Sequence, residues 1–240
     1  MSTKSTMPVD SLAVAREQVA GGEKQSIATH RWGMAIDTSR CTGCKVCQVA
    51  CKTENRTPPG VNYMPVIEQH HGGYPYAAAT YLPRPCMHCD RAPCEQVCPV
   101  EATFTQRDGA VVVDYMKCIG CRYCLTSCPY GARQFDFNTS YQGEGPRRPA
   151  FETVPSPEHG HLWPRESHVS PADNARSCHF CSHRLAQGVL PACVESCPTA
   201  AIIVGDINDP MSEVSRLIHS HESHRLREEL GTEPKVWYLK

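Results

Sequence analysis

The sequence has little of several features that define common classes of protein. It contains no run of 18 or more apolar residues, so we expect no membrane-spanning segment. Lysine and arginine number 24 and aspartate and glutamate 25, so no excess of basic charge points to nucleic-acid binding. Aromatic residues make up only 7%, whereas there are 20 prolines and 16 glycines. This composition predicts that much of the chain consists of short strands, turns and loops.

The usual motifs of catalysis and of export are missing as well. No glycine-rich nucleotide loop, GxSxG motif or HExxH motif is present, which disfavours nucleotide-dependent and hydrolytic chemistry on this chain. Residues 1–28 form a polar N-terminal extension with one short amphipathic run, around Leu12, Ala15 and Val19. Because this extension has neither an apolar h-region nor a twin-arginine pair, we expect it to carry no export signal.

Cysteine, in contrast, is abundant: the chain has 16, and they fall into four groups of four with none left over. Group one is Cys41, Cys44, Cys47 and Cys51, and group two is Cys86, Cys89, Cys94 and Cys98. Group three is Cys118, Cys121, Cys124 and Cys128, and group four is Cys178, Cys181, Cys193 and Cys197. Proline follows the last cysteine of groups two, three and four.

This spacing is typical of iron–sulfur ligation. The run C-x2-C-x2-C-x3-C-P is the signature of two-cluster bacterial ferredoxins, and group three matches it at every position. Group one has Lys52 in place of the proline, and groups two and four have a longer gap before the third cysteine. Zinc ribbons pair two CxxC knuckles without the added x2 and x3 steps, and disulfides are typical of small secreted chains, so both alternatives are disfavoured.

The fourth cysteine of a two-cluster ferredoxin motif binds the neighbouring cluster. With that crossing rule, the sequence predicts four 4Fe–4S clusters. Groups one and four give set a, Cys41, Cys44, Cys47 and Cys197, and set b, Cys51, Cys178, Cys181 and Cys193. Groups two and three give set c, Cys86, Cys89, Cys94 and Cys128, and set d, Cys98, Cys118, Cys121 and Cys124. A residue other than cysteine at position 121 would permit a 3Fe–4S cluster.

The segments between the groups predict an α+β fold of two bacterial-ferredoxin-like modules, one inserted within the other, with long loops and a C-terminal helix. Residues 103–106 and 110–115 read as a hairpin joining groups two and three, with a turn at Arg107-Asp108-Gly109. Strands are expected at 32–37, before group one, and at 201–206, after group four. The predicted divisions are a split module at 29–70 and 170–208, an inserted module at 78–137, a Pro/His-rich loop at 138–169, and a C-terminal helix and strand at 209–240.

Two segments outside the modules carry further expectations. Residues 138–177 lack apolar periodicity and should form an irregular loop that either wraps on a partner or is mobile. A helix is expected from Asp209-Pro210 to about Leu230, ended by Gly231 and packed on the ferredoxin core.

Several side chains near the cysteines have a functional and an ordinary interpretation. His88 and His179 could donate to cluster sulfur, although solvated turn residues are favoured. Tyr123 and Tyr130 are expected to pack against clusters. His219, His221 and His224 are expected at the surface. Seven basic residues could offset cluster charge or lie in solvent: Arg40, Lys45, Lys52, Lys117, Arg122, Arg133 and Arg176.

Sixteen ligands for four cubane clusters leave no iron free to bind a substrate. The pattern therefore predicts no catalytic residue on this chain and a series of one-electron sites instead.

Four stretches also carry a family resemblance: IDTSRCTGC, CMHCDRAPCEQVCPVEATF, VDYMKCIGCRYCLTSCPYGAR and LPACVESCPTAAIIVGDINDP. Together they resemble the four-cluster electron-transfer (beta) subunits of DMSO-reductase-superfamily molybdopterin oxidoreductases. The ending, GDINDPMSEVSRLIHSHE and GTEPKVWYL, is most similar to subunits of tetrathionate, arsenate, selenate and polysulfide reductases.

The resemblance implies a molybdenum or tungsten bis-pterin catalytic partner and an integral membrane, quinone-reactive anchor, with no nucleic acid. It implies peripheral membrane association through these partners. The periplasmic side, reached by co-export with the catalytic subunit, is favoured over the cytoplasmic side. Alternatives are a free polyferredoxin carrier, or the beta subunit of a formate dehydrogenase or hydrogenase complex.

Overall fold

The computed structural model describes residues 11–21, 30–138, 154–166 and 168–240. In these ranges the helices are α1 Ser11–Gly21, α2 Val46–Asn55, α3 Pro93–Gln96, α4 Tyr123–Ser127, α5 Ser182–Leu185, α6 Ala192–Glu195 and α7 Glu213–Ser220. The strands are β1 Trp32–Asp37, β2 Val66–His71, β3 Ala78–Pro83, β4 Thr103–Thr105, β5 Val111–Val113, β6 Gln134–Phe135, β7 Ala175–Arg176, β8 Ile202–Asp206, β9 Ser223–His224 and β10 Val236–Leu239. Single 3-10 turns lie at Glu158–Gly160 and Glu228–Leu230. The strands are short, as expected from the composition.

A four-stranded sheet in the order β8-β1-β10-β9 forms the main apolar core. All six residues of β1 are buried, as expected for a hydrophobic strand covered on both faces. Strand β1 pairs antiparallel with β8, placing Ile36 opposite Ile202, and parallel with β10, placing Met34 opposite Val236. The predicted strands at 32–37 and 201–206 are thus present and pair directly with each other.

Helices α1 and α7 both contact β8, and they also contact each other. The amphipathic run predicted in the N-terminal extension lies on α1, where Ala15 and Val19 are buried. On α7 the buried apolar residues are Val214 and Leu217. This part of the extension therefore belongs to the core.

The predicted hairpin between groups two and three is confirmed as β4–β5, with Thr103 opposite Val113. The Gln106 N–H donates to the Ala110 carbonyl at 2.8 Å, and the Gly109 N–H donates to the Gln106 carbonyl at 2.9 Å. Gly109 has a φ of +82°, a conformation that glycine adopts without a steric penalty. The turn thus sits where the sequence places it.

The predicted C-terminal helix is wrong in extent, because α7 spans only Glu213–Ser220. The Ser212 side chain caps its first turn by accepting the Ser215 N–H. After Ser220 the chain becomes extended, and β9 pairs with β10, placing His224 opposite Tyr238. Strand pairing overrides the helical pattern of the sequence here. Gly231 ends the 3-10 turn Glu228–Leu230 rather than a long helix.

Part of the predicted irregular loop, residues 139–153 and 167, lies outside the described residues. In its described part the loop is irregular, but it packs on the chain itself. Ser156 and Glu158 are fully buried, and Ser156 bridges to Trp163. The loop ends in β7, which pairs with β6.

No helix among the described residues has the length and apolar character needed to cross a membrane.

Candidate metal centres

Groups one and three share the same local backbone. Gly43 and Gly120, each between the first two cysteines of its group, have φ values of +70° and +69°. Lys45 and Arg122 then take a left-handed conformation, and a helix begins at the next residue. On α2 this geometry places Cys47 and Cys51 four residues apart, on one face of the helix. The turn and the helix together direct the cysteines of each group towards a common side.

Groups two and four have a proline at the start of the helix, where groups one and three have a left-handed residue. Pro93 is the first residue of α3 and Pro191 immediately precedes α6, and these helices carry the third cysteines, Cys94 and Cys193. The fixed φ of proline suits the start of a helix, where its missing N–H costs no hydrogen bond. The longer gap in these groups is taken up by the residues before that proline.

Group one comes together with the end of group four. Burial, together with the nearby Cys197 and Cys41 thiolates, raises the pKa of the Cys47 thiol to about 12. The pKa of Cys41 is also raised by burial and, more weakly, by Cys197 and Cys44. The four cysteines of set a are therefore electrostatic neighbours.

The start of group four meets the last cysteine of group one. The pKa of Cys51 lies well above its usual value, first because of burial and then because of the Cys181, Cys193 and Cys178 thiolates. These are the other three members of set b. Such burial strongly disfavours four free thiolates and suits sulfur bound to a cation.

The cysteines of set c line a common cavity. Burial raises the pKa of Cys86, and the Cys94 and Cys128 thiolates contribute to the rise, whereas Arg133 opposes it. Burial raises the pKa of Cys89 to about 11, with Cys94 and Cys128 contributing again. All four cysteines line one cavity, whose other lining residues include Met87, Val111, Tyr130 and Arg133.

Three members of set d come together, and the fourth is distinguished by other contacts. Burial raises the pKa of Cys124 to about 11, with Arg133 opposing and with Cys94, Cys118 and Cys121 contributing. For Cys98, burial is outweighed by the backbone N–H groups of Thr103, Val100 and Ala102, which lower its pKa. No other thiol is among the largest causes of the shift in the pKa of Cys98.

This donor set fits iron–sulfur clusters. Thiolates are the ligands that such clusters use, and set c places four of them around one largely apolar space. In the described residues, no three His, Cys, Asp or Glu side chains converge on a point suitable for a single metal ion. When bound, a 4Fe–4S cluster supplies one-electron redox chemistry, and these thiols would hold it.

The sets adjoin one another in a definite order. The Cys47 thiolate acts on Cys193, which links sets a and b. The backbone N–H of Cys86 is directed at the Cys178 thiol, which links sets b and c. The Cys94 thiolate acts on Cys124, which links sets c and d. The neighbour contacts thus run a–b–c–d.

Hydrogen bonds to sulfur come partly from residues that were not predicted from the sequence. Asn55 Nδ2 lies 3.5 Å from Cys51 Sγ and 3.9 Å from Cys181 Sγ. The N–H groups of Ala102 and Ala201 donate to the Sγ atoms of Cys98 and Cys197 at 3.2 and 3.3 Å. Each alanine follows its cysteine by four residues, so the repeated spacing was a usable signal. Asn55 follows Cys51 by one helical turn, which was also visible in the sequence.

The expectation that His88 and His179 lie in solvent is wrong, because both are buried. His88 Nδ1 accepts the Val111 N–H at 3.0 Å, and its ring lies 3.8 Å from that of Phe180. His179 Nε2 lies 3.0 Å from Asn55 Oδ1. Packing between the cysteine groups buries these rings, and the local turn sequence did not indicate this.

Of the basic residues predicted near clusters, Arg133 is buried against thiols, with its Nη2 donating to Cys94 Sγ at 3.1 Å. Arg176 is buried too, but it pairs with Asp136 and Glu158. Lys45 is exposed and lies 3.9 Å from Glu68.

Three more of these residues have partners away from sulfur. Arg122 is exposed over the Phe135 and Phe137 rings. Lys52 Nζ donates to the carbonyls of residues 57 and 58. Lys117 lies 4.0 Å from Asp114. Their placement is that of ordinary surface or loop contacts.

Of the two tyrosines expected against clusters, Tyr130 lines the set c cavity. Tyr123 is instead 58% exposed.

Three models of iron–sulfur domains match the chain. A 4Fe–4S dicluster domain matches residues 77–143, a second 4Fe–4S dicluster domain matches 117–201, and a 4Fe–4S binding domain matches 32–53.

Curated relatives extend this match over most of the chain. A selenate reductase subunit of Mesobacillus selenatarsenatis is 50% identical over 90% of this chain and 74% of its own length. The arsenate respiratory reductase iron–sulfur subunit of a Shewanella species is 37% identical over 88% of this chain and 96% of its own. A tetrathionate reductase subunit of Salmonella typhimurium is 38% identical over 95% of this chain and 80% of its own length.

The chain belongs to the iron–sulfur (beta) subunits of the DMSO-reductase superfamily. A beta subunit of this kind transfers electrons within an oxidoreductase and is not its catalytic component. The 4Fe–4S domains of this beta subunit support the electron relay predicted from the cysteine groups.

Proposed function

We propose that this beta subunit holds four 4Fe–4S clusters, one in each of sets a, b, c and d. The proposal is supported by 16 cysteines without a remainder and by the electrostatic grouping of three sets in full. For set d it rests on the grouping of Cys118, Cys121 and Cys124, and on the crossing rule for Cys98.

The clusters lie in two ferredoxin modules, one inserted in the other. Support comes from two separate strand pairs. Strands β1 and β8, which flank groups one and four, pair with each other, while β4 and β5 join groups two and three as a hairpin. We therefore assign 29–70 and 170–208 to the split module and 78–137 to the inserted one.

The observation that carries the function is the neighbour order a–b–c–d. With clusters bound, electrons would pass along this order one at a time, and the Cys86 N–H directed at the Cys178 thiol marks the junction between the modules. The protein's part is to hold each site in place, to exclude water and to donate hydrogen bonds to sulfur, which set the potential of each step.

One end of this series exchanges electrons with a molybdenum or tungsten bis-pterin catalytic subunit, and the other end exchanges electrons with a quinone-reactive membrane anchor. Relatives named as subunits of selenate, arsenate and tetrathionate reductases favour a respiratory oxyanion of sulfur, selenium or arsenic as the partner's substrate. The protein would then lie at the membrane through its partners, on the periplasmic side if it is exported together with the catalytic subunit.

Iron and sulfide analysis of the anaerobically purified full chain tests the cluster number. We expect about sixteen iron and about sixteen acid-labile sulfide per chain. Eight or fewer of each, or stoichiometric zinc, would contradict four clusters.

Co-purification from the native host tests the partners. A molybdopterin subunit should elute together with this chain. A chain that elutes alone, at its own mass, would instead support a free polyferredoxin carrier.

A further inference from the structure

Arg133 has an environment that the electron relay does not by itself explain. It follows group three, it is 4% exposed, and its Nη2 donates to Cys94 Sγ at 3.1 Å. Its other two nitrogens, Nε and Nη1, are buried and have no hydrogen-bond partner among the described residues. Buried N–H groups without an acceptor are costly, so an acceptor at this place would bring a substantial gain.

The placement of Arg133 shows where that acceptor would lie. Arg133 lines the same cavity as the four cysteines of set c. A cluster in that cavity carries sulfur atoms, which accept hydrogen bonds, beyond the Cys94 Sγ that Arg133 already contacts. The two free nitrogens are therefore suited to the cluster itself.

Arg176, the other buried arginine among the described residues, has a different kind of partner. Arg176 is paired with two carboxylates, Asp136 at 2.9 Å and Glu158 at 2.5 Å. In the described part of the chain Arg133 pairs with no carboxylate, and the negative groups that act on it are the Cys94, Cys86 and Cys124 thiolates. Two of these belong to set c and one to set d. Among the described residues, the strongest charge interactions of Arg133 are thus with cysteine thiolates.

We propose that Arg133 is a positioning residue that raises the reduction potential of the set c cluster selectively, by placing a buried positive charge and hydrogen-bond donors against it. This inference rests on the four-cluster function proposed above. Reduction adds one negative charge to a cluster, and a nearby buried cation stabilises the reduced form far more than an exposed cation does. The reduction potential of set d, which meets Arg133 through Cys124, is raised less, and the potentials of sets a and b are unchanged. An electron entering the series is then held at set c, next to the junction with set b.

Redox titration of the full-length holoprotein, followed by electron paramagnetic resonance, tests the proposal. The set c signal is assigned as the one lost in Cys89→Ser. In Arg133→Gln we expect the ratio of reduced to oxidised set c, at a fixed potential, to fall at least tenfold, which is 59 mV for one electron. In Arg133→Lys, which keeps the charge but not the planar fork, we expect a smaller fall.

Arg122→Gln is the matched control. It removes a guanidinium that belongs to a residue within group three, but that is exposed and lies over the Phe135 and Phe137 rings, so solvent screens it. We expect the ratio of reduced to oxidised cluster, at a fixed potential, to change by less than threefold at every cluster. The proposal would be overturned if Arg133→Gln keeps its iron and the ratio of reduced to oxidised set c changes by less than threefold. It would also be overturned if this ratio changes equally at all four clusters.

A second measurement covers the case in which Arg133→Gln loses iron. In wild-type protein labelled with ¹⁵N-arginine, pulsed resonance should detect an arginine nitrogen coupled to the reduced set c cluster, and the coupling should vanish in Arg133→Lys. Absence of the coupling in wild type would refute the role of Arg133. Iron analysis of the wild type separates the two levels of inference, since fewer than four clusters would refute the proposed function whatever Arg133 does.

Discussion

The buried carboxylate of Glu158 should hold residues 154–166, a described segment of the long loop, onto the rest of the chain. Its Oε1 accepts from Arg176 Nη2 at 2.5 Å, and its Oε2 accepts from the Tyr63 hydroxyl at 3.0 Å. The Tyr115 hydroxyl also donates to it. These contacts join the loop to β7, to the segment before β2 and to the segment after β5.

The strength of this arrangement follows from the pKa of Glu158. Burial by itself would raise the pKa, but the Arg176 guanidinium, helped by His179 and His159, outweighs burial and lowers it from 4.5 to about 2. Such a lowering corresponds to about 3 kcal/mol in favour of the charged, folded form.

Glu158→Gln keeps the size of the side chain and removes its charge. We expect the free energy of local opening to fall by about 3 kcal/mol, which makes hydrogen exchange about a hundredfold faster. The loss stays at the lower end for a broken buried ion pair, because Arg176 keeps Asp136 at 2.9 Å. The amides to follow are those of Ser156 and Trp163, which bond to each other's carbonyls. The assay is hydrogen exchange with mass spectrometry on the assembled protein.

The pH dependence gives a second check. Because the folded pKa lies below the unfolded value, the stabilisation is fully present above pH 4.5 and is lost as the pH falls towards 2. The difference between variant and wild type should therefore be constant from pH 8 to 5. Glu68→Gln, a change at an exposed carboxylate 3.9 Å from Lys45, should alter exchange in 154–166 by less than threefold. Equal effects of the two substitutions, or no effect of Glu158→Gln, would refute the reasoning.

Three further predictions, one of them with a control substitution, test the cysteine loops and the C-terminal region. Gly43→Ala places a Cβ 2.3 Å from the Tyr81 ring at a φ of +70°, so iron should fall from about sixteen to about twelve per chain. Gly60→Ala, at a φ of +84° with open space around it, should keep all its iron, and an equal loss in both would count against the steric argument. Ser212→Ala removes the cap of α7 and should cost about 1 kcal/mol, seen as roughly fivefold faster hydrogen exchange in 213–220; an unchanged rate would contradict the cap. Cys121→Ser should lose or convert one cluster in resonance spectra while the other three persist, and unchanged spectra would contradict its ligation.

Local patterns explain why much of the fold could be predicted. The hairpin β4–β5 follows from alternating residues around Arg107-Asp108-Gly109, and β1 and β8 follow from short apolar runs next to cysteine groups. The predicted neighbours of Cys47 and Cys51 are present because cysteine spacing repeats a known module. Such features depend on a few consecutive residues, which is why the sequence is sufficient for them.

Features that depend on distant contacts were missed. The helix predicted to reach Leu230 ends at Ser220, because β9 finds a partner in β10. His88 is buried because it meets Phe180, which lies in another cysteine group. Neither partner is indicated by the residues next to the element concerned.

The sequence by itself determined the type of metal chemistry, the family and the cysteine grouping, since cluster ligation requires fixed residue types at fixed spacings. The tertiary structure alone decided which surroundings each site has. It placed Asn55 beside Cys51 and buried Arg133 against Cys94. It paired Arg176 with carboxylates and not with thiols. The physical reason is that hydrogen bonding and charge act through space, between side chains that the folded chain brings together.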